Sequence, residues 1–155
     1  MAKMGIRIFW KIIKMLDWSC TGDDGAVLAP AIEHLSCLHD KDIFDFEDIL
    51  AKLLYDLDSR EIALELYRSD KMISDDRFLY QRCVAVANGQ GYYSSILYRG
   101  RKLDPDLDFE PLLYLPKSAW AKKHGKDVCE YPHTPNPSYE TGSNRALWKK
   151  RFFPF

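Results

Sequence analysis

The segment SDDRFLYQRCVAVANG constrains the fold most strongly, because it carries both a helix start and a helix stop. Ser74 is a residue type that caps helix N-termini, and Asp75 and Asp76 follow where free backbone N–H groups and the helix dipole favour carboxylates. Apolar residues then recur at helical spacing. Asn88-Gly89 ends the pattern, because both residues tolerate the left-handed conformation. The segment therefore predicts one helix that begins at Ser74 and ends at Asn88-Gly89.

Helical spacing of apolar residues recurs in other parts of the chain. A first helix is predicted from Ile6, Phe9, Ile13 and Leu16, and a later one from Phe46, Leu50, Leu53 and Leu57. The cations of the first helix would also suit a membrane surface, but burial in a core is the commoner use of such a stripe, and we expect no membrane partner. No pair of alternating strand segments is visible. The predicted fold class is mainly α, a single-domain multi-helix bundle.

A chain of 155 residues fits one domain. We predict a helical domain over residues 1–130. Residues 131–155 begin with a stretch rich in Pro, Ser, Thr and Asn, which predicts an irregular C-terminal extension. This extension either packs on the helical domain or trails from it.

The charged residues are unevenly distributed, although the net charge is only −1. Residues 1–14 carry four bases and no acid, residues 40–76 carry twelve acids against five bases, and residues 117–155 carry eight bases against three acids. Either the basic ends fold back on the acidic middle, or the middle forms a negative surface for a basic partner. The second interpretation predicts a partner-binding face made of Asp45, Glu47, Asp48, Asp56 and Asp58.

Sequence motifs of common enzymes are absent: there is no P-loop, GxSxG, HExxH or dinucleotide glycine fingerprint. The best candidates for a ligand pocket are Asp75, Asp76, Arg82 and Tyr92, with Ser74 beside them. A structural role is favoured for the two aspartates, because carboxylates at a helix start serve the helix dipole. We expect Arg82 to pair with a carboxylate.

His34, Cys37 and His39 are candidates for a metal site, with Cys20 as a fourth ligand. Their spacing matches no common zinc pattern, so no metal and no cofactor is predicted. The four cysteines form no CxxC pair, and neither a secretory signal nor a membrane-length apolar segment is visible. These features predict a cytoplasmic protein with reduced thiols.

Aromatic and basic residues are mixed near the C-terminus, in WKKRFFPF. Such mixtures can bind single-stranded nucleic acid by stacking and charge. The acidic middle of the chain opposes phosphate binding, which argues against a nucleic-acid partner. A nucleic-acid or regulatory module that uses Lys149 to Arg151 is the third functional hypothesis.

The chain resembles a bacterial family of proteins that contain a domain of unknown function, DUF4240. The resemblance is carried by Phe9-Trp10 followed by KIIKML, by Ser74-Asp75-Asp76, by Arg82 with VAVANG after it, and by DFEPLLYLPKSAWAKKHGKD. It covers roughly residues 6–128. It implies a helical protein with no established reaction. Members are similar to small proteins found near polymorphic toxins and their immunity genes, which suggests a binding role.

The leading hypothesis is therefore a non-enzymatic protein-binding domain. In its specific form, the domain is an immunity protein that occludes the active site of a toxin through its acidic surface. The alternative is a small-ligand-binding protein or enzyme with a pocket near Asp75, Asp76 and Arg82.

Overall fold

The computed structural model describes residues 2–67 and 74–149. Eight α-helices account for most of this part of the chain. They are α1 (Ile6–Ile13), α2 (Asp24–Ser36), α3 (Asp40–Asp56), α4 (Arg60–Tyr67), α5 (Asp75–Ala87), α6 (Gln90–Tyr98), α7 (Leu115–His124) and α8 (Arg145–Trp148). Short 3-10 turns lie at Trp18–Cys20, Glu110–Tyr114 and Val128–Glu130. The described ranges contain no strand, so the predicted mainly α class is confirmed.

Two helices, α3 and α5, form the centre of the bundle. Helix α3 contacts α5 and α7, while α2 packs along α7 and α5 packs against α6 and the turn at Glu110–Tyr114. Residues 81–87 of α5 are all buried, although they include a glutamine and an arginine. The second half of α5 is thus buried on every side and belongs to the core itself, and it places its polar side chains inside the protein.

The predicted ends of α5 are confirmed. The Ser74 hydroxyl accepts a hydrogen bond from the Arg77 N–H at 3.1 Å, and the first turn carries Asp75 and Asp76. Asn88 terminates the helix, and Gly89 has φ 96°, a conformation that glycine adopts without strain. Helix α6 starts directly after this glycine, so the stop signal also sets the turn between two packed helices.

Helix α1 buries its apolar face in the core, as the amphipathic pattern predicts. Phe9, Trp10, Ile12 and Ile13 are buried, and the Phe9 ring lies 4.7 Å from the ring of Phe46 on α3. Ile6 belongs to the predicted apolar face but is 48% exposed, because it lies in the first turn at the edge of the bundle. Within the described residues, no helix has the length and apolarity that crossing a membrane requires.

The C-terminal segment, residues 131–149, packs on the helical bundle. Its first part is irregular and it ends in α8. Tyr131, Tyr139 and Trp148 pack their rings against the core. The segment also hydrogen-bonds to polar side chains of α3, α5 and the loop between α3 and α4, which places those side chains under it.

Candidate functional site

Two members of the predicted acidic face are buried and cannot belong to an exposed surface. Glu47 is 2% exposed and Asp58 is 0% exposed. The Tyr131 hydroxyl donates a hydrogen bond to Glu47 at 2.9 Å. Asp58 accepts hydrogen bonds from the backbone N–H groups of residues 142 and 144 and, at 2.6 Å, from the indole N–H of Trp148. Both carboxylates are covered because the C-terminal segment folds over them.

The other three predicted acids are partly exposed and each has a partner inside the protein. Their contacts are Asp45 with Lys41 at 2.7 Å and with the Met4 N–H at 2.9 Å, Asp48 with His133 at 2.8 Å, and Asp56 with Lys52 at 2.6 Å. Both ends of the chain thus reach the acidic middle, which was one of the two interpretations of the charge distribution. The structure gives no continuous free acidic face at these five positions.

Burial governs the electrostatics around Glu47. Burial raises the pKa of the Glu47 carboxyl above its ordinary value, and the Tyr131 hydrogen bond opposes that rise. Burial and the nearby Glu47 carboxylate also raise the pKa of the Tyr131 hydroxyl. The pair is therefore a buried contact in which the Tyr131 phenol stays neutral and the Glu47 carboxyl keeps its proton to a higher pH than an exposed carboxyl does.

Arg82 does not pair with a carboxylate among the described residues, contrary to our expectation. Its guanidinium donates to the Leu54 carbonyl at 2.8 Å, the Tyr139 carbonyl at 3.1 Å and the Thr141 hydroxyl at 3.0 Å. The prediction failed because two backbone carbonyls and a hydroxyl take the place of a carboxylate at the terminal guanidinium nitrogens, while the buried Nε has no partner among the described residues. Burial lowers the pKa of Arg82, and the charge of Asp58 opposes that shift. Arg82 thus joins α5, α3 and the C-terminal segment.

The four residues of the predicted ligand pocket are not brought together. Asp76 lines a polar cleft of about 160 Å³ with Tyr80, Glu110 and other residues, and Arg82 is absent from its lining. Asp75 meets Arg82 only indirectly, because Thr141 donates to the Asp75 carbonyl at 2.7 Å. Tyr92 lies on α6, where the Arg101 guanidinium stacks 4.0 Å from its ring centre. Ser74 serves as the α5 cap.

The candidate metal ligands lie at the surface. His34 and Cys37 are exposed at the end of α2, and His39 is the residue that precedes α3. In the described ranges, no three His, Cys, Asp or Glu side chains are grouped so that they could hold a metal ion.

An apolar cleft, which we call the Trp18 cleft, lies between the start of α2, the end of α5 and the loop before Glu110–Tyr114. Its volume is about 300 Å³. Its apolar walls are Trp18, Val27, Val84, Ala87, Leu107 and Phe109. Trp18 is 41% exposed and Leu107 is 48% exposed, so two large apolar side chains face solvent at one site. The Trp18 and Phe109 rings lie 5.2 Å apart and form one wall.

The rim of the Trp18 cleft is polar and partly acidic. Thr21, Asp24, Asn88 and Asp108 lie on it. Asp108 is itself held by Arg77, whose guanidinium nitrogen lies 2.9 Å from the carboxylate. The cleft thus combines apolar walls with the carboxylate of Asp24 at the edge, which suits an apolar group with a cation beside it.

The sequence did not point to this cleft. Its exposed apolar members lie in irregular segments, where no helical spacing marks which side chains share a face. Leu107 belongs to the linker KLDPDLDFEP and Trp18 to a 3-10 turn after α1. Large apolar residues inside otherwise polar loops were the one available signal. Such residues need either a core or a partner to cover them.

The basic C-terminal end falls mostly outside the described residues. Lys149 is exposed just after α8, whereas Lys150 and Arg151 are not described. The third hypothesis, a nucleic-acid surface around Lys149 to Arg151, therefore stays a prediction.

Comparison with known proteins identifies the family. A family profile described as "Protein of unknown function (DUF4240)" matches residues 4–122, which is more than half of the chain. No curated protein and no solved structure gives a significant match. The matched range includes α1 to α6 and most of α7, while the C-terminal segment lies beyond it. The chain belongs to the DUF4240 family of proteins of unknown function.

Proposed function

We propose that the protein is a non-enzymatic binding domain and that the Trp18 cleft is its contact surface for another protein. The observation that carries this proposal is the exposure of Trp18 and Leu107 on the two sides of one apolar cleft. Tryptophan is the residue type most enriched among those that dominate binding energy at protein interfaces.

The chemistry of the partner follows from the cleft. An apolar or aromatic side chain would fill the volume of about 300 Å³, which is at the small end of small-molecule pockets. Asp24, which is exposed at the rim, favours a lysine or arginine next to that side chain, whereas Arg77 already pairs with Asp108. This moves the proposed contact surface away from Asp45, Glu47, Asp48, Asp56 and Asp58, which are engaged within the protein.

The specific form of the proposal is an immunity protein that neutralises a bacterial toxin. Two arguments support this form. The family resemblance associates such proteins with toxin loci, and an acidic rim suits the basic active-site cleft of a toxin that acts on nucleic acid. The toxin would present its apolar side chain and its flanking cation to the Trp18 cleft.

The experiment is a comparison of immobilised variants as baits for a lysate of the source organism. The cleft variant combines Trp18→Ala with Leu107→Ser. The matched control is Tyr98→Ser, which removes a 79% exposed aromatic ring on α6 outside the cleft. We expect the wild type and the control to retain the same partner. The cleft variant should bind that partner at least about tenfold more weakly, as removal of a central interface residue does.

The possible outcomes distinguish the proposal that the Trp18 cleft binds a protein from the proposal that the bound protein is a toxin. If the cleft variant retains the same proteins as the wild type, the Trp18 cleft is not the contact surface. If the captured partner is a toxin, co-expression with the wild type should restore growth to cells that produce it, and co-expression with the cleft variant should not. A partner without toxin activity would contradict the immunity form alone.

The small-ligand or enzyme alternative receives less support from the geometry. Asp75, Asp76, Arg82 and Tyr92 do not line a common pocket, and both terminal nitrogens of Arg82 donate hydrogen bonds within the protein. Asp76 alone of these four lines the polar cleft beside Glu110.

A further inference from the structure

A second concave site, which we call the α1 cavity, lies between α1 and the start of α6. Its volume is about 480 Å³, so it is larger than the Trp18 cleft. It is lined by Ile6, Arg7, Trp10, Lys11, Lys14 and Gln90. Among the described residues, this lining contains three cations and no acid.

These three cations are not used within the described structure. Arg7, Lys11 and Lys14 are exposed, and no described carboxylate lies within ion-pair distance of them. Other lysines of the protein are paired with acids, namely Lys41, Lys52, Lys102, Lys122 and Lys123. Three converging cations without a counter-charge repel one another unless an anion lies between them.

The start of α6 adds partial positive charge on the opposite side. Its N-cap is Gly89, which provides no side-chain hydrogen bond, and its first turn contains no acid. Helix α5 differs, because Ser74 caps it and two aspartates occupy its first turn. The free N–H groups of an uncapped helix start attract anions, and Gln90 places this start at the cavity wall.

Trp10 brings an aromatic surface and a hydrogen-bond donor to the cavity. It is 6% exposed, and the edge that reaches solvent lines this cavity. Its ring packs against Phe9 and Tyr93, but its indole N–H has no acceptor among the described residues. Solvent reaches this N–H, which is not enclosed in the core, so an acceptor supplied from outside can bond to it.

We infer that the α1 cavity binds an organic phosphate. The phosphate, a dianion near neutral pH, would lie among Arg7, Lys11 and Lys14, and the apolar part of the ligand would rest on Ile6 and Trp10. The same chemistry occurs in soluble phosphomonoesters and in phosphorylated lipid headgroups. The inference does not depend on the proposed function, because the two sites share no lining residue.

The test is a titration followed by two-dimensional NMR of the ¹⁵N-labelled full chain. The probes are inorganic phosphate and adenosine monophosphate, with sodium chloride at equal ionic strength as a reference. We expect both probes to shift the Trp10 indole N–H and the amides of residues 90–92. Adenosine monophosphate should bind more tightly, because it also covers the apolar wall.

Three variants of the protein make the titration specific. Lys11→Gln with Lys14→Gln should weaken binding by roughly a hundredfold, on the basis of about tenfold for each cation removed. The control Arg145→Gln with Lys149→Gln removes two exposed cations outside the cavity and should leave binding unchanged. Gly91→Asp places a carboxylate in the first turn of α6, where a new Cβ meets no atom within 4 Å. It should weaken binding while it stabilises the helix.

Vesicles distinguish the source of the phosphate. Binding to vesicles that contain phosphatidylinositol phosphate, together with soluble phosphomonoesters, identifies a headgroup site, and binding to soluble esters alone identifies a small-molecule site. The inference is overturned if phosphate causes only diffuse shifts that are equal in the cavity and control variants. It is also overturned if single-stranded RNA binds while neither probe does.

Discussion

The two ends of the chain are both basic, but they join the rest of the protein in different ways. Helix α1 buries apolar side chains and leaves Arg7, Lys11 and Lys14 in solvent. The C-terminal segment is irregular and supplies hydrogen-bond partners to Glu47, Asp58 and Arg82. The two basic ends therefore have different roles. Helix α1 presents its cations to solvent, and the C-terminal segment covers the buried charged groups.

This difference has an energetic cause. A buried charged group costs several kcal/mol unless hydrogen bonds replace its water, and the C-terminal segment provides those bonds. The apolar face of α1 needs no such partners, because removal of its side chains from water is favourable in itself. We therefore expect substitutions under the C-terminal segment to affect stability and substitutions of the α1 cations to affect binding.

The largest effect is expected from Arg82→Met. This variant removes the donors to Leu54, Tyr139 and Thr141 and also removes the positive charge of Arg82 that acts on the buried Asp58. Breaking a buried charged contact by removing one partner costs about 3–5 kcal/mol. Urea unfolding followed by circular dichroism measures the free energy of unfolding.

The matched control for Arg82 lies on the same helix. Arg77→Met breaks an exposed pair with Asp108 and should cost less than about 1 kcal/mol. If the two arginine variants are destabilised to a similar extent, Arg82 does not connect the C-terminal segment to the core in the way its contacts indicate.

Asp58→Asn should have the next largest effect. One Asp58 oxygen accepts from Gly142 and Trp148 and the other from Asn144, so a side-chain amide would turn a donor toward another donor. We expect a decrease of about 2 kcal/mol in the free energy of unfolding. Asp56→Asn is the control, because it alters only a partly exposed pair with Lys52. Equal decreases in the two variants would contradict the structural role of Asp58.

Glu47→Gln should have a smaller effect at neutral pH, and it should raise the free energy of unfolding instead of lowering it. Burial raises the pKa of Glu47, so the folded protein keeps this proton when the unfolded chain has already released it. The favourable contribution of Glu47 to the free energy of unfolding is therefore present below the pKa that Glu47 has in the unfolded chain. It is lost as the pH rises through the pKa that Glu47 has in the folded protein. The glutamine of the variant retains an oxygen that can accept a hydrogen bond from Tyr131 and has no proton to release. The stability of the variant should therefore not fall as the pH rises through this range.

The measurement is the difference in unfolding free energy between the wild type and Glu47→Gln at several pH values. That difference should grow in favour of the variant from about pH 4 to pH 7. Glu33→Gln is the control, since Glu33 is exposed and pairs with Lys122. A pH-independent difference for Glu47→Gln would show that its burial does not shift the titration.

The comparison of the two ends also separates what the sequence could predict from what it could not. The limits of α5 follow from Ser74 and Asn88-Gly89, because caps are local signals. Two of the three Arg82 partners are backbone carbonyls, which every residue possesses, and the third is the Thr141 hydroxyl in an irregular segment, so no sequence pattern marks them. The burial of Glu47 does have a sequence signal, because Glu47 lies four residues after the buried Ile43, on the apolar face of α3.

The smallest change in stability is expected where the charges are free. Replacement of Arg7, Lys11 and Lys14 together by Gln should alter the free energy of unfolding by no more than about 0.5 kcal/mol, because none of these three side chains has a described ion-pair partner. Lys123→Gln is the reference, since Lys123 lies 2.8 Å from Asp40 and donates to the Leu38 carbonyl. That single substitution should cost about 1 kcal/mol, more than the triple variant. The reverse order would mean that the α1 cations stabilise the fold, and weaker phosphate binding in their variants could then no longer be assigned to a site.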